Sequence, residues 1–334
     1  MRLTLLAAAA ALAACGNAGA QEWRTLDVSR QLRDSTALTA DITYGAGTLT
    51  LGPTTGADLY EMHLRYPAGR TAPVATYNPS GHAVHLGIKS QNFSMPGGDV
   101  DQNELRIGLA RGVPLDLTTE VAAADLKMDL GGLAVRSLKL KTGATDATLA
   151  FSSPNTIKMR SMALTVGAAG FKATGLANAN ADHITLRAGI GSWDLYFDGT
   201  WTGDIWLNAK IGLGSLTIHV PDDVRVEQNA NAILGAVSGD NGGSPTVTID
   251  TSDNSDEADS SDDDNSSATA KAAAKATAKA AATAIVKANK KNVVVWQLNR
   301  TSAPATPRFT LHIAGGATLG EITFDHKLAG AGGQ

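Results

Sequence analysis

Three of the five tryptophans lie close together in the sequence, at Trp193, Trp201 and Trp206. An exposed row of aromatic side chains is a typical binding surface for a carbohydrate or a protein partner. Packing between neighbouring strands is the alternative, and both interpretations stay open at this point. We identify these three residues as the candidate ligand surface, with Trp193 and Trp206 as the candidates to face outward.

Four aspartates, Asp182, Asp194, Asp198 and Asp204, surround the same tryptophans, and Arg187 lies among them. Two carboxylates with different pKa values can perform acid–base chemistry on a glycosidic bond. Aspartates are also common in turns for structural reasons, because their side chains hydrogen-bond to nearby backbone. Since the sequence gives no sign of a carboxylate pair, we predict no catalytic residues and no enzymatic activity.

Histidines and acidic residues do not form a recognisable metal motif. His82 and His85 have no third ligand near them in the sequence, whereas a zinc site needs three or four ligands. The acidic run at 250–264 lacks the glycine and the bidentate glutamate of a calcium loop. We therefore predict no metal and no cofactor.

A repeated pattern of fourteen residues must position the candidate residues. Copies begin at residues 138, 162, 184, 207 and 311, with aliphatic residues mostly at positions one, three, twelve and fourteen. Glycine occupies the sixth position of every copy, at Gly143, Gly167, Gly189, Gly212 and Gly316. Alternation on both sides of a glycine predicts a strand, a glycine turn and a second strand.

The spacing of these copies predicts an all-β, solenoid-like stack of short strands. The first four glycines lie 24, 22 and 23 residues apart, and a period of about 23 residues is typical of stacked repeat architectures. The inward residues of two copies are predicted to be Leu138, Leu140, Leu149 and Phe151, and Ile184, Leu186, Leu195 and Phe197. In the second copy Ala173 and Gly175 replace a bulky pair, which predicts a loop or bulge.

Composition divides the rest of the chain. We predict an N-terminal β-module at 38–115, the solenoid repeats at 116–229, and a final strand and repeat at 292–325. A low-complexity insertion at 230–291 separates the last two. Its acidic part, 250–264, holds eight carboxylates in fifteen residues and should be disordered. Its Ala/Lys-rich part, 267–291, predicts one exposed helix.

The first twenty residues indicate export. The apolar run at 3–14 is shorter than the roughly 20 residues needed to span a bilayer, and it is typical of a signal peptide. The sequence LAACG at 12–16 resembles a bacterial lipobox, with Cys15, the only cysteine, as the lipidated mature N-terminus. Gly16 after the cysteine implies the outer membrane, facing the periplasm. The alternative is ordinary secretion with a mature chain starting at Gln21.

Several segments resemble known bacterial envelope domains. ADITYGAGTLTLGP at 40–53, followed by LYEMHLRYP, resembles the N-terminal toast-rack domain. The segments at 126–151 and 184–197 are similar to the C-terminal β-domain of cell-wall-active-antibiotic response proteins. The resemblance implies a solenoid-like β-fold, a link to envelope stress and no known catalytic residues.

These features predict a non-enzymatic envelope lipoprotein that acts as a structural or interaction scaffold. Its partners would be the membrane, through the lipid anchor, and an envelope protein or polysaccharide. A net charge of −4 gives no large basic footprint for nucleic acid. One alternative is a carbohydrate-binding or carbohydrate-processing β-solenoid, and another is an adhesin-like surface protein that presents the insertion.

Overall fold

The computed structural model describes residues 22–68, 72–89, 103–144, 146–221, 223–232, 236–239, 301–302 and 308–325. These residues form strands and one short 3-10 helix at Leu176–Ala179. The strands are β1 (Trp23–Gln31), β2 (Leu38–Pro53), β3 (Asp58–Pro67), β4 (Ala72–Asn78), β5 (Ala83–Lys89), β6 (Glu104–Leu109), β7 (Pro114–Asp129), β8 (Ala134–Thr142), β9 (Ala147–Ala150), β10 (Ser161–Thr174), β11 (His183–Tyr196), β12 (Ile205–His219), β13 (Val224–Ala232), β14 (Ala236–Gly239), β15 (Thr301–Ser302) and β16 (Phe309–Asp325).

All of these strands belong to one sheet, whose main path runs β1-β3-β6-β2-β7-β8-β10-β11-β12-β16-β13-β15. The other four strands pair beside this path: β5 with β2, β4 with β5, β9 with β7 and β10, and β14 with β16. The pairs at the N-terminal end, β1–β3 and β3–β6, are antiparallel. From β6 to β13 every neighbouring pair is parallel. Long parallel strands stacked in this way confirm the predicted all-β, solenoid-like class.

The register keeps equivalent positions of successive strands side by side. Leu138 pairs with Met162, Met162 with Ile184, and Ile184 with Leu207. Because side chains alternate between the two faces of a strand, this register places one aliphatic row above the next. All eight predicted inward residues are buried, at 1% exposure or less.

Gly167, Gly189 and Gly212 mark corners within continuous strands, whereas Gly143 lies between the separate strands β8 and β9. In β11 the buried residues are even-numbered up to Ala188 and odd-numbered from Trp193 onward, with Gly189 between them. We call the residues before each corner the first arm and those after it the second arm. A Cβ on Gly189 would lie 2.6 Å from the carbonyl oxygen of Gly167, so the glycines permit close stacking of the corners.

Two predictions about the repeats are wrong. Gly316 pairs with Lys210 and so does not align with Gly212, because β16 is shifted by two residues relative to the predicted copy. A shift of two keeps the same face inward, so alternation alone cannot select the register. The predicted loop or bulge at Ala173 is also absent: β10 continues to Thr174, and Ala173 is buried between its partners on β9 and β11.

The predicted N-terminal module shares its core with the repeats. Its boundary at residues 115/116 falls inside β7, which pairs with β2 along most of its length. Buried residues from Leu38 to Ile313 form one continuous hydrophobic cluster. The two segments are therefore parts of one stack.

The connections between second and first arms are ordered by buried asparagine. Asn155 is only 4% exposed, and its Oδ1 accepts the N–H of Val135 at 2.8 Å. Its Nδ2 donates to the carbonyl oxygens of Val135 and Ala179, at 2.8 and 3.1 Å. One side chain thus satisfies backbone groups of two neighbouring connections.

Several predicted features lie outside the described residues. They are the signal peptide at 1–20 with Cys15, the acidic run at 250–264 and the Ala/Lys helix at 267–291. In the described ranges, no helix is long and apolar enough to cross a membrane.

Candidate ligand-binding face

The three tryptophans do not form one surface. Trp193 is fully buried, so its predicted outward orientation is wrong; it shares the inward face of β11 with Leu195 and Phe197. Trp201 is partly buried, and its Nε1 donates to the carbonyl oxygen of Phe197 at 3.1 Å. Trp206 is 44% exposed and is the member of the trio that faces outward on the first arm of β12.

Trp206 instead lies in an aromatic row with two histidines, His183 and His312. The three residues are direct cross-strand partners on β11, β12 and β16. The indole and the His312 ring are stacked at 4.8 Å, and the His183 ring lies 5.4 Å away on the other side. The His312 ring lies flat against the indole, with 9° between the planes, whereas the His183 ring is tilted by 37°. His312 Nδ1 lies 3.1 Å from a carboxylate oxygen of Glu227 at the end of this row.

A basic row crosses the same outward face on the first arms. Its members are the cross-strand partners Lys141, Thr165, Arg187 and Lys210. Lys141 makes a 2.6 Å ion pair with Glu120 on β7. Within the described part of the chain, Arg187 and Lys210 have no carboxylate within 4.0 Å. They are two exposed, adjacent cations in a protein whose net charge is −4.

The aromatic and basic rows are separated by four residues along each strand, which is about 13 Å. Thr185 and the exposed Asn208 pair with each other between the two rows. The sequence pattern could have identified the basic row, because its four residues occupy position four of the first four repeat copies. The contact of His312 with Trp206 depends on the register of β16, whereas His183 meets Trp206 through the pairing of β11 with β12.

The four aspartates around this face have separate structural partners. Asp182 pairs with Lys158 at 2.5 Å, and Asp198 Oδ1 accepts the N–H of Gly175 at 2.6 Å. Asp204 Oδ1 accepts the N–H of Thr310 at 2.8 Å. Asp194 is on the second arm, 3.9 Å from His219. These contacts give no carboxylate pair converging on a common point.

The remaining histidines have local partners. His85 Nδ1 lies 3.3 Å from an oxygen of Asp41, and His82 Nδ1 lies 3.3 Å from the hydroxyl of Tyr77. His219 stacks on Tyr196 with ring centres 4.0 Å apart. Among the residues that the structure describes, no three His, Cys, Asp or Glu side chains are arranged to hold a metal ion.

A half-open groove of about 660 Å³ lies at the N-terminal end of the stack. Its polar lining includes Asp27, Glu61, His63 and Arg106. His63 Nδ1 and Asp27 Oδ1 are 2.5 Å apart, so two of these groups satisfy each other. The groove lining contains no tryptophan, tyrosine or phenylalanine, and the outward face of the first arms is the stronger candidate site.

Comparisons with known proteins find one family model that matches an N-terminal segment and solved structures of low similarity. One match is to a crystal structure described as a "putative cell adhesion protein" from Clostridium sporogenes ATCC 15579, with 14% sequence identity and a TM-score of 0.37. The alignment covers 92% of this chain and 100% of that chain. A "putative adhesin" from Bacteroides fragilis NCTC 9343 is 10% identical, covers 91% and 98%, and has a TM-score of 0.33. No curated protein matches the chain. The family described as the N-terminal domain of toast_rack, DUF2154, matches residues 18–160, and this segment therefore confirms the toast-rack resemblance.

Proposed function

We propose that this protein is a non-catalytic binding scaffold of the bacterial cell envelope. The observation that carries the proposal is the outward face of the parallel stack, where exposed aromatic and cationic side chains are held in register above a continuous buried core. Such a rigid, repetitive surface suits recognition of an extended partner. Each repeat of about 23 residues would supply one strand of that surface.

The proposal includes a lipid anchor at Cys15, a mature chain facing the periplasm from the outer membrane, and a link to envelope stress. The lipobox-like sequence at 12–16 supports the anchor. The toast-rack domain at 18–160 is compatible with an envelope location. Two or three acyl chains would hold the protein firmly at a membrane, whereas one chain would bind only reversibly.

Intact mass and detergent partitioning test the anchored scaffold. The exported wild-type protein should carry about two or three acyl chains and enter the detergent phase. Cys15→Ala should lose the added mass and enter the aqueous phase. A wild-type protein that starts at Gln21 and partitions to water would contradict the anchor.

Carbohydrate binding is a second candidate function, favoured by the exposed Trp206. Carbohydrate processing is not favoured, because the nearby aspartates are engaged by separate partners. Incubation with a polysaccharide should therefore release no new reducing ends. Release of reducing ends in proportion to the protein concentration would instead support carbohydrate processing.

A further inference from the structure

Resting on the proposed binding role, we infer that the first-arm face of β11, β12 and β16 binds an acidic polysaccharide. Its carboxylates would pair with Arg187 and Lys210, and its hydroxyls would contact the aromatic row around Trp206. This assignment deepens the scaffold proposal by naming the chemistry of the partner.

The placement of Arg187 beside Lys210 is the first argument. These two cations are direct cross-strand partners, and neighbouring strands are about 4.8 Å apart. Like charges directly opposite each other destabilise a sheet. The described residues offer neither cation a carboxylate. A bound anion relieves this repulsion, and the arginine can engage a carboxylate through two parallel hydrogen bonds.

The second argument is the chemistry of the aromatic row. Trp206 remains 44% exposed, and an indole combines a large apolar ring with an N–H donor. His183 and His312 add ring nitrogens on either side, and Asn208 adds an amide toward the basic row. Donors and acceptors next to an apolar ring match the mixed surface of a sugar.

The distance between the rows favours a polymer. The rows lie about 13 Å apart along the strands, so a small anion bound at Arg187 and Lys210 does not reach Trp206. A chain of acidic sugar units can contact both rows at once. Two contact regions on one surface strengthen binding, because the second contact becomes intramolecular once the first has formed.

Other anionic partners fit this face less well. Nucleic acid binding generally requires a larger basic footprint than two adjacent exposed cations on a chain of net charge −4. Insertion into a lipid bilayer would carry Glu227 and the histidines beside Trp206 toward hydrocarbon, which is costly for charged groups. Binding of an acidic polysaccharide requires neither a large basic surface on the protein nor an apolar environment.

Binding of the complete mature protein to polygalacturonate, with neutral dextran as the reference polymer, tests the inference. Arg187→Gln/Lys210→Gln should weaken polygalacturonate binding at least about tenfold and reduce its dependence on salt. Trp206→Ala should weaken binding several-fold while the salt dependence stays close to that of wild type. The matched control, Lys127→Gln/Lys172→Gln, removes the same charge from exposed second-arm positions and should bind within about twofold of wild type.

Several results would overturn the inference. They are equal binding to both polymers, no loss of polygalacturonate binding in the Arg187/Lys210 variant, or an equal loss of binding in the control variant. Preferential binding to phosphatidylglycerol vesicles through the same residues would assign the face to lipid. Circular dichroism of each variant verifies the fold. Detergent partitioning of the same variants should be unchanged, because it tests the lipid anchor. A failure of polysaccharide binding would therefore contradict this inference but not the anchored scaffold.

Discussion

Among single residues, Asp116 makes the densest set of charged contacts at a strand pair. Its Oδ1 accepts hydrogen bonds from Arg136 Nε at 3.0 Å and from the Ser137 hydroxyl at 2.7 Å. Arg136 Nη2 also donates to the second carboxylate oxygen. The hydrogen bonds from Arg136 and, to a smaller extent, from Ser137 lower the pKa of Asp116 despite its partial burial. This residue therefore links β7 to β8 in a pH-dependent way.

We expect Asp116→Asn to destabilise the protein by about 1 kcal/mol at pH 7. Because the folded-state pKa lies below the unfolded value of about 3.9, the stabilisation is present above that pH and is lost as the pH falls through the folded-state pKa. Urea unfolding at pH 7 and pH 3 should show the difference from wild type shrinking at the lower pH. Asp125→Asn, at an exposed second-arm position, is the control and should differ little from wild type at either pH. A deficit for Asp116→Asn that is the same at both pH values would contradict this account.

Among the elements, the corners of β10, β11 and β12 depend on glycine for space. A Cβ at Gly189 would lie 2.6 Å from the carbonyl oxygen of Gly167, and one at Gly212 would lie 2.5 Å from that of Gly189. Gly189→Ala should therefore cost about 1 to 3 kcal/mol of unfolding free energy, measured by urea unfolding. Gly45→Ala is the matched control, because a Cβ there meets nothing within 4 Å, and it should be neutral or slightly stabilising. Equal effects of the two substitutions would exclude stacking of the corners as the reason for the glycines.

The alternation of apolar and polar residues along the strands predicted much of the fold. It also indicated which side chains near the candidate site are buried. Trp193 has the same parity as Leu195 and Phe197, so its burial follows from the pattern that correctly placed those two residues. The register of β16 did not follow from the pattern, since a shift of two residues buries the same face. The stacking of His312 on Trp206 depends on that register, and local sequence does not determine it.

At the scale of the whole molecule, the stack includes a strand that lies far along the chain from both of its main neighbours. β16 lies between β12 and β13, although both of these strands precede it in the chain. Leu311 and Ile313 on β16 are at most 3% exposed. The last part of the core therefore needs β16 but need not depend on the composition of the segment that leads to it.

Deleting residues 250–291 should leave the folded stack intact. For a flexible chain, as the composition predicts for 250–264, each doubling of a connection costs only about 0.6 kcal/mol, so this shortening should change stability by about 1 kcal/mol, in the stabilising direction. Far-UV circular dichroism and the thermal unfolding midpoint should remain close to those of wild type.

Deletion of 309–325 is the contrasting variant: it removes the direct partner of both β12 and β13 and should lower the midpoint strongly. If removing 250–291 abolished the β signal to the same extent, the insertion would be part of the fold itself. If deletion of 250–291 abolished partner binding while the β signal remained, the adhesin-like role would be favoured. Binding would then depend on the deleted segment and not on the ordered face around Trp206.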